Sequence, residues 1–159
     1  MSGRWQPFFK PLQNQLILSL QSEELSVHWL NGQHSTEVGV FPVNETGIDA
    51  FHQAIKSNEG MQQARYTLAL NRQQCLYRSI TLPAETQSNL MQVVGFEMDR
   101  FTPFNKEQVF YDVVYEGVPT SSSLVQAHLA VVPKTTLQPL LKDLKEFGIE
   151  TSRVCVFNH

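Results

Sequence analysis

Few side chains in this sequence are spaced for chemistry. A two-metal hydrolase needs carboxylates clustered around its ions. Asp49, Asp99 and Asp112 are far apart, and the first strand-like run offers none. A serine nucleophile needs a base within reach and a sharp glycine-flanked turn that exposes its hydroxyl. Ser79 and Ser152 have no such glycines, and the five histidines follow no pattern. Cys75 and Cys155, with those histidines, give no metal-ligand spacing. Both cysteines lie in apolar runs, where reduced buried thiols are expected rather than a disulfide. Neither a P-loop nor a GxGxxG run is present. No catalytic residue, metal or cofactor is predicted.

The elements around these residues are those of an ordinary folded chain. Its 159 residues are enough for one domain with a core, or for two small lobes. The composition is 42% apolar and 17% charged, with a net charge of −3, and the 12 lysines and arginines are spread along the chain. A nucleic-acid binder would carry a basic patch, so no nucleic-acid partner is expected. No apolar run approaches the roughly 20 residues of a membrane span, and the N-terminus has no signal-peptide core.

Residues 1–14 read as a greasy N-terminal arm around Trp5, Phe8 and Phe9, packed on the domain or left disordered rather than touching a membrane. Alternation then predicts strands at 15–20, 25–30 and 37–43, with Asn31-Gly32 as a hairpin signal. Asn44 is the expected N-cap of a helix over 47–57, ended by Asn58-Glu59-Gly60, and 65–70 returns as a strand. Residues 75–82 form the next strand, stopped by Pro83. Thr86 is expected to cap one amphipathic helix running to Phe101, built on Leu90, Val93, Val94, Glu97, Met98 and Phe101. Thr102-Pro103 ends it. Strands at 109–115 and 124–132 flank a flexible loop over 117–123. A helix over 134–147, with Pro139 near its first turn and Gly148 behind it, precedes a last strand at 149–157. This order predicts α/β architecture in two lobes, one formed by 15–73 with 133–159 and the other by the strand-helix-strand-strand piece 74–132.

Three runs in this order carry a family pattern: Arg78-Ser79-Ile80-Thr81-Leu82-Pro83, then Glu97-Met98-Asp99-Arg100-Phe101-Thr102-Pro103-Phe104, then Phe110-Tyr111-Asp112-Val113-Val114. The chain resembles the actin-like proteins of type IV pilus and type II secretion machines, the PilM, GspL and MshI group. Those carry an R-x-I-x-LP strand end, an E-x-x-R-[FY]-x-PF helix end and an aspartate in the following strand. Ala130-Val131-Val132-Pro133-Lys134, with Gly148-Ile149, looks like the group's returning strand-helix-strand. The resemblance covers nearly the whole chain and about half of a full PilM-like protein.

The resemblance implies a ribonuclease-H/actin-like mixed sheet with an inserted subdomain of the kind found in the division protein FtsA. It also implies a noncatalytic scaffold at the cytoplasmic face of the bacterial inner membrane, in an MSHA or type IV pilus or a secretion platform. Such a scaffold docks the cytoplasmic tail of a PilN-like membrane partner and helps couple it to the assembly ATPase; self-association is left open. Nucleotide-binding relatives carry a first hairpin of the form G-x-D-x-G-x-x-x-V-K. Aligned through Leu25, this chain has Ser19 for the aspartate, Gln21 for the glycine and Ser26 for the lysine, and Ser22-Glu23-Glu24 brings negative charge. No ATP binding is therefore expected. The alternatives are an ATP-binding actin-like filament protein and a free-standing small-ligand module.

The partner-binding candidates are Arg78, Pro83, Glu97, Arg100, Phe101, Pro103 and Phe104, beside a groove between the lobes bordered by the helix over 86–101. Each has a plainer reading. Arg78 is a wet-face strand arginine, Glu97 and Arg100 a local ion pair, and Phe101 and Phe104 seals of a small core. Asp112 satisfies nearby amides, His128 points away from the core, and Trp29 and Leu30 belong to it.

Overall fold

The computed structural model describes residues 4–5, 13–116, 123–151 and 153–156. The chain divides into two compact units, Met1–Asn71 with Gln138–His159, and Arg72–Leu137. Residues 117–122 of the expected loop, Phe8, Phe9 and Ser152 lie outside the described residues.

The first unit is built on a six-stranded mixed sheet. Its strands are β1 (Arg4–Trp5), β2 (Asn14–Gln21), β3 (Glu24–Asn31), β4 (His34–Pro42), β5 (Arg65–Leu70) and β9 (Arg153–Val156), in the order β1-β9-β5-β2-β3-β4. β1, β9, β5 and β2 run parallel, while β3 and β4 continue antiparallel. Alternation along β2 and β3 puts Leu16, Leu18, Leu20, Leu25 and Val27 on one buried face. Against it pack α1 (Glu45–Lys56) and most of α5 (Lys134–Glu146), through Phe51, Ile55, Leu144 and Phe147. Phe51 makes edge contacts with Phe41 and Phe147, each with ring centroids 5.6 Å apart.

Asn44 caps α1 as its sequence predicts, accepting from the Gly47 amide at 2.8 Å. Asn58 does not end the helical region. It caps the short α2 (Glu59–Gln62) by accepting from Gly60 and Met61. Trp29 is half-buried rather than core; its indole donates to Asn14 at 2.8 Å, and Asn14 donates to the Gly60 carbonyl. Leu30 is half-buried as well. Behind α5, Gly148 takes φ +73°, and the Ile149 amide donates to Leu144 while that of Gly148 donates to Lys145. That pairing closes the helix on two buried apolar side chains, Leu144 and Ile149. Pro139 is the sixth residue of α5, past the first turn, so its missing N–H is one the helix would have used.

The Asn31-Gly32 signal is shifted by one: Asn31 pairs with His34, leaving Gly32 (φ +66°) and Gln33 at the turn. The β2–β3 turn carried no such signal, yet Ser22 and Glu23 sit at φ 51° and 60°. Left-handed backbone costs L-residues about 1 kcal/mol or more each. The turn is held by its ladder and by the Val43 amide, which donates to Glu23 at 2.9 Å. Ser22→Asn with Glu23→Gly, the pair this turn prefers, is expected to stabilise the protein by about 1 kcal/mol, read from the urea midpoint.

The second unit is a three-stranded antiparallel sheet, β6 (Leu76–Pro83), β8 (Leu124–Pro133) and β7 (Val109–Tyr115), with β8 in the centre. Its core joins Ile80, Leu82, Val113, Val125, Leu129 and Val131 of the strands to Val94 and Met98. The single helix expected over 86–101 is three pieces: a 3-10 segment over Ala84–Asn89, α3 (Leu90–Phe96) and α4 (Met98–Phe101). Thr86 is not an N-cap; its hydroxyl donates back to the Pro83 carbonyl at 2.6 Å. Glu97, at φ −104° and ψ 19°, breaks the rest. The break lets α4 turn so that Met98, only 1% exposed, enters the core.

Candidate functional site

The predicted partner residues do not form one cluster. Arg78 and Pro83 both lie on β6, where five residues of extended chain put them on opposite faces and about 17 Å apart. Arg78 is exposed and donates to the Tyr77 carbonyl at 3.0 Å, and Pro83 is exposed at the strand end. Glu97, Arg100, Phe101, Pro103 and Phe104 do come together, where α4 turns into the segment before β7. Glu97 and Arg100 pair at 3.5 Å with side chains 39% and 71% exposed, which limits the pair to a few tenths of a kcal/mol. Phe101 and Phe104 pack partly buried on the core, and Pro103 is exposed.

Thr102 builds this corner. Its hydroxyl donates to the Met98 carbonyl at 3.0 Å and accepts from the Phe104 amide at 3.1 Å, so one buried side chain ends α4 and starts the next segment. Asn105 and Gln108 then cap each other around the Lys106–Gln108 turn. Beside them lie residues that the helical stripe does not include. Phe96 is 73% exposed, and Met91 is 44% exposed. The Lys106 ammonium lies 5.4 Å from the centroid of the Phe96 ring. An aromatic residue off the stripe defined by Leu90, Val94 and Met98 was the available signal.

Gly95 sets how closely α3 sits on β7. A Cβ there would lie 2.5 Å from the Tyr111 hydroxyl, which donates to the Met91 carbonyl at 2.8 Å. Gly95→Ala and Tyr111→Phe are each expected to cost about 1 kcal/mol. The double variant should cost less than the sum by about 1 kcal/mol, because deleting the hydroxyl makes room for the methyl. Urea unfolding of all four proteins checks the cycle.

On the other face of the second unit's sheet, Ser79, His128 and Glu116 stand in a row. Ser79 Oγ is 3.5 Å from His128 Nδ1, and His128 Nε2 is 3.2 Å from Glu116 Oε2. Ser79 lies within an extended strand, so no successive amides converge near its hydroxyl as an oxyanion hole requires. Asp112 accepts from the Val113 amide at 2.9 Å. Cys75 is a free thiol whose pKa burial pushes up to about 12, which leaves little thiolate near neutrality. Among the described residues, no three His, Cys, Asp or Glu side chains are grouped to hold a metal ion.

In the first unit, Ser19 and Ser26 are cross-strand partners on the sheet face opposite the α1 core. Both line a cleft of about 540 Å³ with Gln21, His28, Leu30 and Asn71. Its lining offers hydroxyls, amides and one imidazole, and includes no carboxylate, lysine or arginine. Such a surface can hydrogen-bond a polar group but supplies no charged anchor for a triphosphate or its metal.

No family model matches the chain. The type II secretion system protein L of Xanthomonas campestris pv. campestris is 32% identical to it over 133 residues, covering 82% of this chain and 34% of that protein. The chain thus spans about a third of the length of this curated relative. The cytoplasmic domain of EpsL, an inner membrane component of the type II secretion system of Vibrio cholerae, superposes with a TM-score of 0.59 at 16% identity, covering 90% of this chain and 57% of that one. A chain of the PilM-PilN type IV pilus biogenesis complex gives 0.61 at 19% identity, covering 89% and 47%. The mixed sheet with its strand-helix-strand-strand piece is the actin-like fold that the resemblance implied.

Proposed function

Because the chain is a GspL- and PilM-like protein of the actin-like fold, we propose that it is a noncatalytic scaffold of a pilus-assembly or type II secretion platform. In this reading it works at the cytoplasmic face of the inner membrane, and the MSHA pilus is the system we favour. It docks the cytoplasmic tail of a PilN-like membrane partner and helps couple that partner to the assembly ATPase. The observation that carries the reading is the 32% identity to a type II secretion protein L over most of this chain. The PilM-PilN complex supports the kind of partner. No helix among the described residues is long and apolar enough to cross a membrane.

The cleft around Ser19 and Ser26 supports a scaffold over an ATP-driven filament, since Ser19 replaces the carboxylate that works through the bound metal. Calorimetry with Mg-ATP is expected to show no micromolar binding; such binding would overturn the noncatalytic reading. For the partner, the cytoplasmic tail of a PilN-like membrane protein is expected to be retained by the immobilised chain. Arg100→Ala, with the fold intact by circular dichroism, is expected to weaken that retention. Unchanged retention would move the docking site away from Arg100, and no retention by the unsubstituted chain would overturn the reading.

A further inference from the structure

The corner holding Phe101 and Phe104 displays an aromatic ring that its own core does not use. Phe96 is 73% exposed and Met91, on the same short helix, is 44% exposed. Phe96 lines a cleft of about 230 Å³ together with Gly95, Met98, Asp99, Asn105, Lys106 and Glu107. Both cations of the corner are engaged: Arg100 pairs with Glu97 and lies 5.7 Å from the centroid of the Phe101 ring, and Lys106 sits by Phe96. Two exposed acids, Asp99 and Glu107, remain at the cleft. A solvent-exposed ring that lines the same cleft as two carboxylates is complementary to a planar cation, which stacks on the aromatic face while its N–H groups reach the oxygens.

We propose that the Phe96 cleft receives an arginine, flanked by apolar residues, from an extended cytoplasmic tail of a membrane partner. The inference rests on the scaffold reading above and adds the chemistry of the tail. Cytoplasmic flanks of membrane spans are enriched in lysine and arginine, which matches the acids at the cleft. The ring and the apolar stem of Met98 at the floor then favour an arginine next to an aliphatic residue over a cation alone. Lys106 acts in this arrangement as the resident cation that the incoming arginine displaces from the ring.

The test uses the full chain and three fluorescein-labelled peptides, Gly-Leu-Arg-Leu-Arg-Leu-Gly and its Gln and Glu counterparts, titrated by fluorescence anisotropy. The Arg peptide is expected to bind tightest and to weaken as salt is raised from 50 to 200 mM. Phe96→Ala, and separately Asp99→Asn with Glu107→Gln, should each weaken it about tenfold, whereas Lys106→Gln should tighten it about threefold. These side chains are exposed at the surface, so the variants should fold, which circular dichroism checks. Equal affinity of the Arg peptide for unsubstituted and variant chains, or preference for the Glu peptide, overturns the proposal. If the PilN-like tail binds the unsubstituted chain and Phe96→Ala equally, this cleft is not its site and the scaffold reading stands. If that tail binds neither, the scaffold reading falls, and the Arg-peptide titration still decides the chemistry of the cleft.

Discussion

Replacing Gly47 with alanine is expected to destabilise the protein by about 3 kcal/mol or more, against the roughly 1 kcal/mol by which helices favour alanine. The first turn of α1 lies directly on the end of β4. A Cβ on Gly47 would overlap the Pro42 carbonyl oxygen and stand under 3 Å from two further Pro42 atoms. That carbonyl is also fixed by the Asn44 amide, which donates to it at 2.9 Å. The obstacle is backbone, so no rotamer relieves it, and α1 must lift from the sheet that Phe51 and Ile55 hold. Urea unfolding measures the effect, and a loss below 1 kcal/mol would contradict the close approach. Gly32 is the contrast: a Cβ there meets nothing within 4 Å, so alanine at Gly32 costs only its φ of +66°.

Leu129→Ala carries the second large effect, a loss of about 3 kcal/mol. Leu129 is fully buried in the central strand of the small sheet, between Arg78 of β6 and Val113 of β7. Its core neighbours include Ile80 and Val113 of the flanking strands and Val94 and Met98 of the short helices, so truncation opens a cavity in the middle of this cluster. Both tryptophans, Trp5 and Trp29, belong to the first unit. Far-UV circular dichroism followed beside tryptophan fluorescence therefore reports whether the loss stays in the second unit. A loss under 1 kcal/mol by dichroism would mean that the site repacks.

Periodicity found the elements whose faces differ most. Leu16, Leu18 and Leu20 recur at every second position and are buried as that period demands; Asn44 caps α1 because its side chain reaches the Gly47 amide. Two departures share a physical origin, backbone that leaves its regular form without a glycine or proline at the residue concerned. Glu97 breaks the helix in an ordinary-looking apolar run, and Ser22 and Glu23 turn left-handed under tertiary constraint. Of the partner candidates, five meet at one corner and Arg78 and Pro83 stand apart, because a motif records sequence order and a strand separates what order joins. Phe96 was legible only as a departure from the stripe. Its exposure depends on the turn at Glu97, which sequence spacing does not express.

The pairing of β1 with β9 has a consequence for how the protein is made. The second unit is one uninterrupted stretch, Arg72–Leu137, whereas the first needs residues from both sides of it. β1 finds its partner only once 153–156 exist, and until then β5 has no neighbour on its outer side. At about 5–20 residues per second, the ribosome takes about 1–4 s to carry synthesis from 138 to 156. Throughout that interval the nascent sheet presents β5 as an unpaired edge. β9 is thus the strand that ties β1 into the sheet, and contacts of such long sequence separation form late. Chaperone dependence during synthesis should therefore track the residues of β5 and β9 rather than those of the inserted unit.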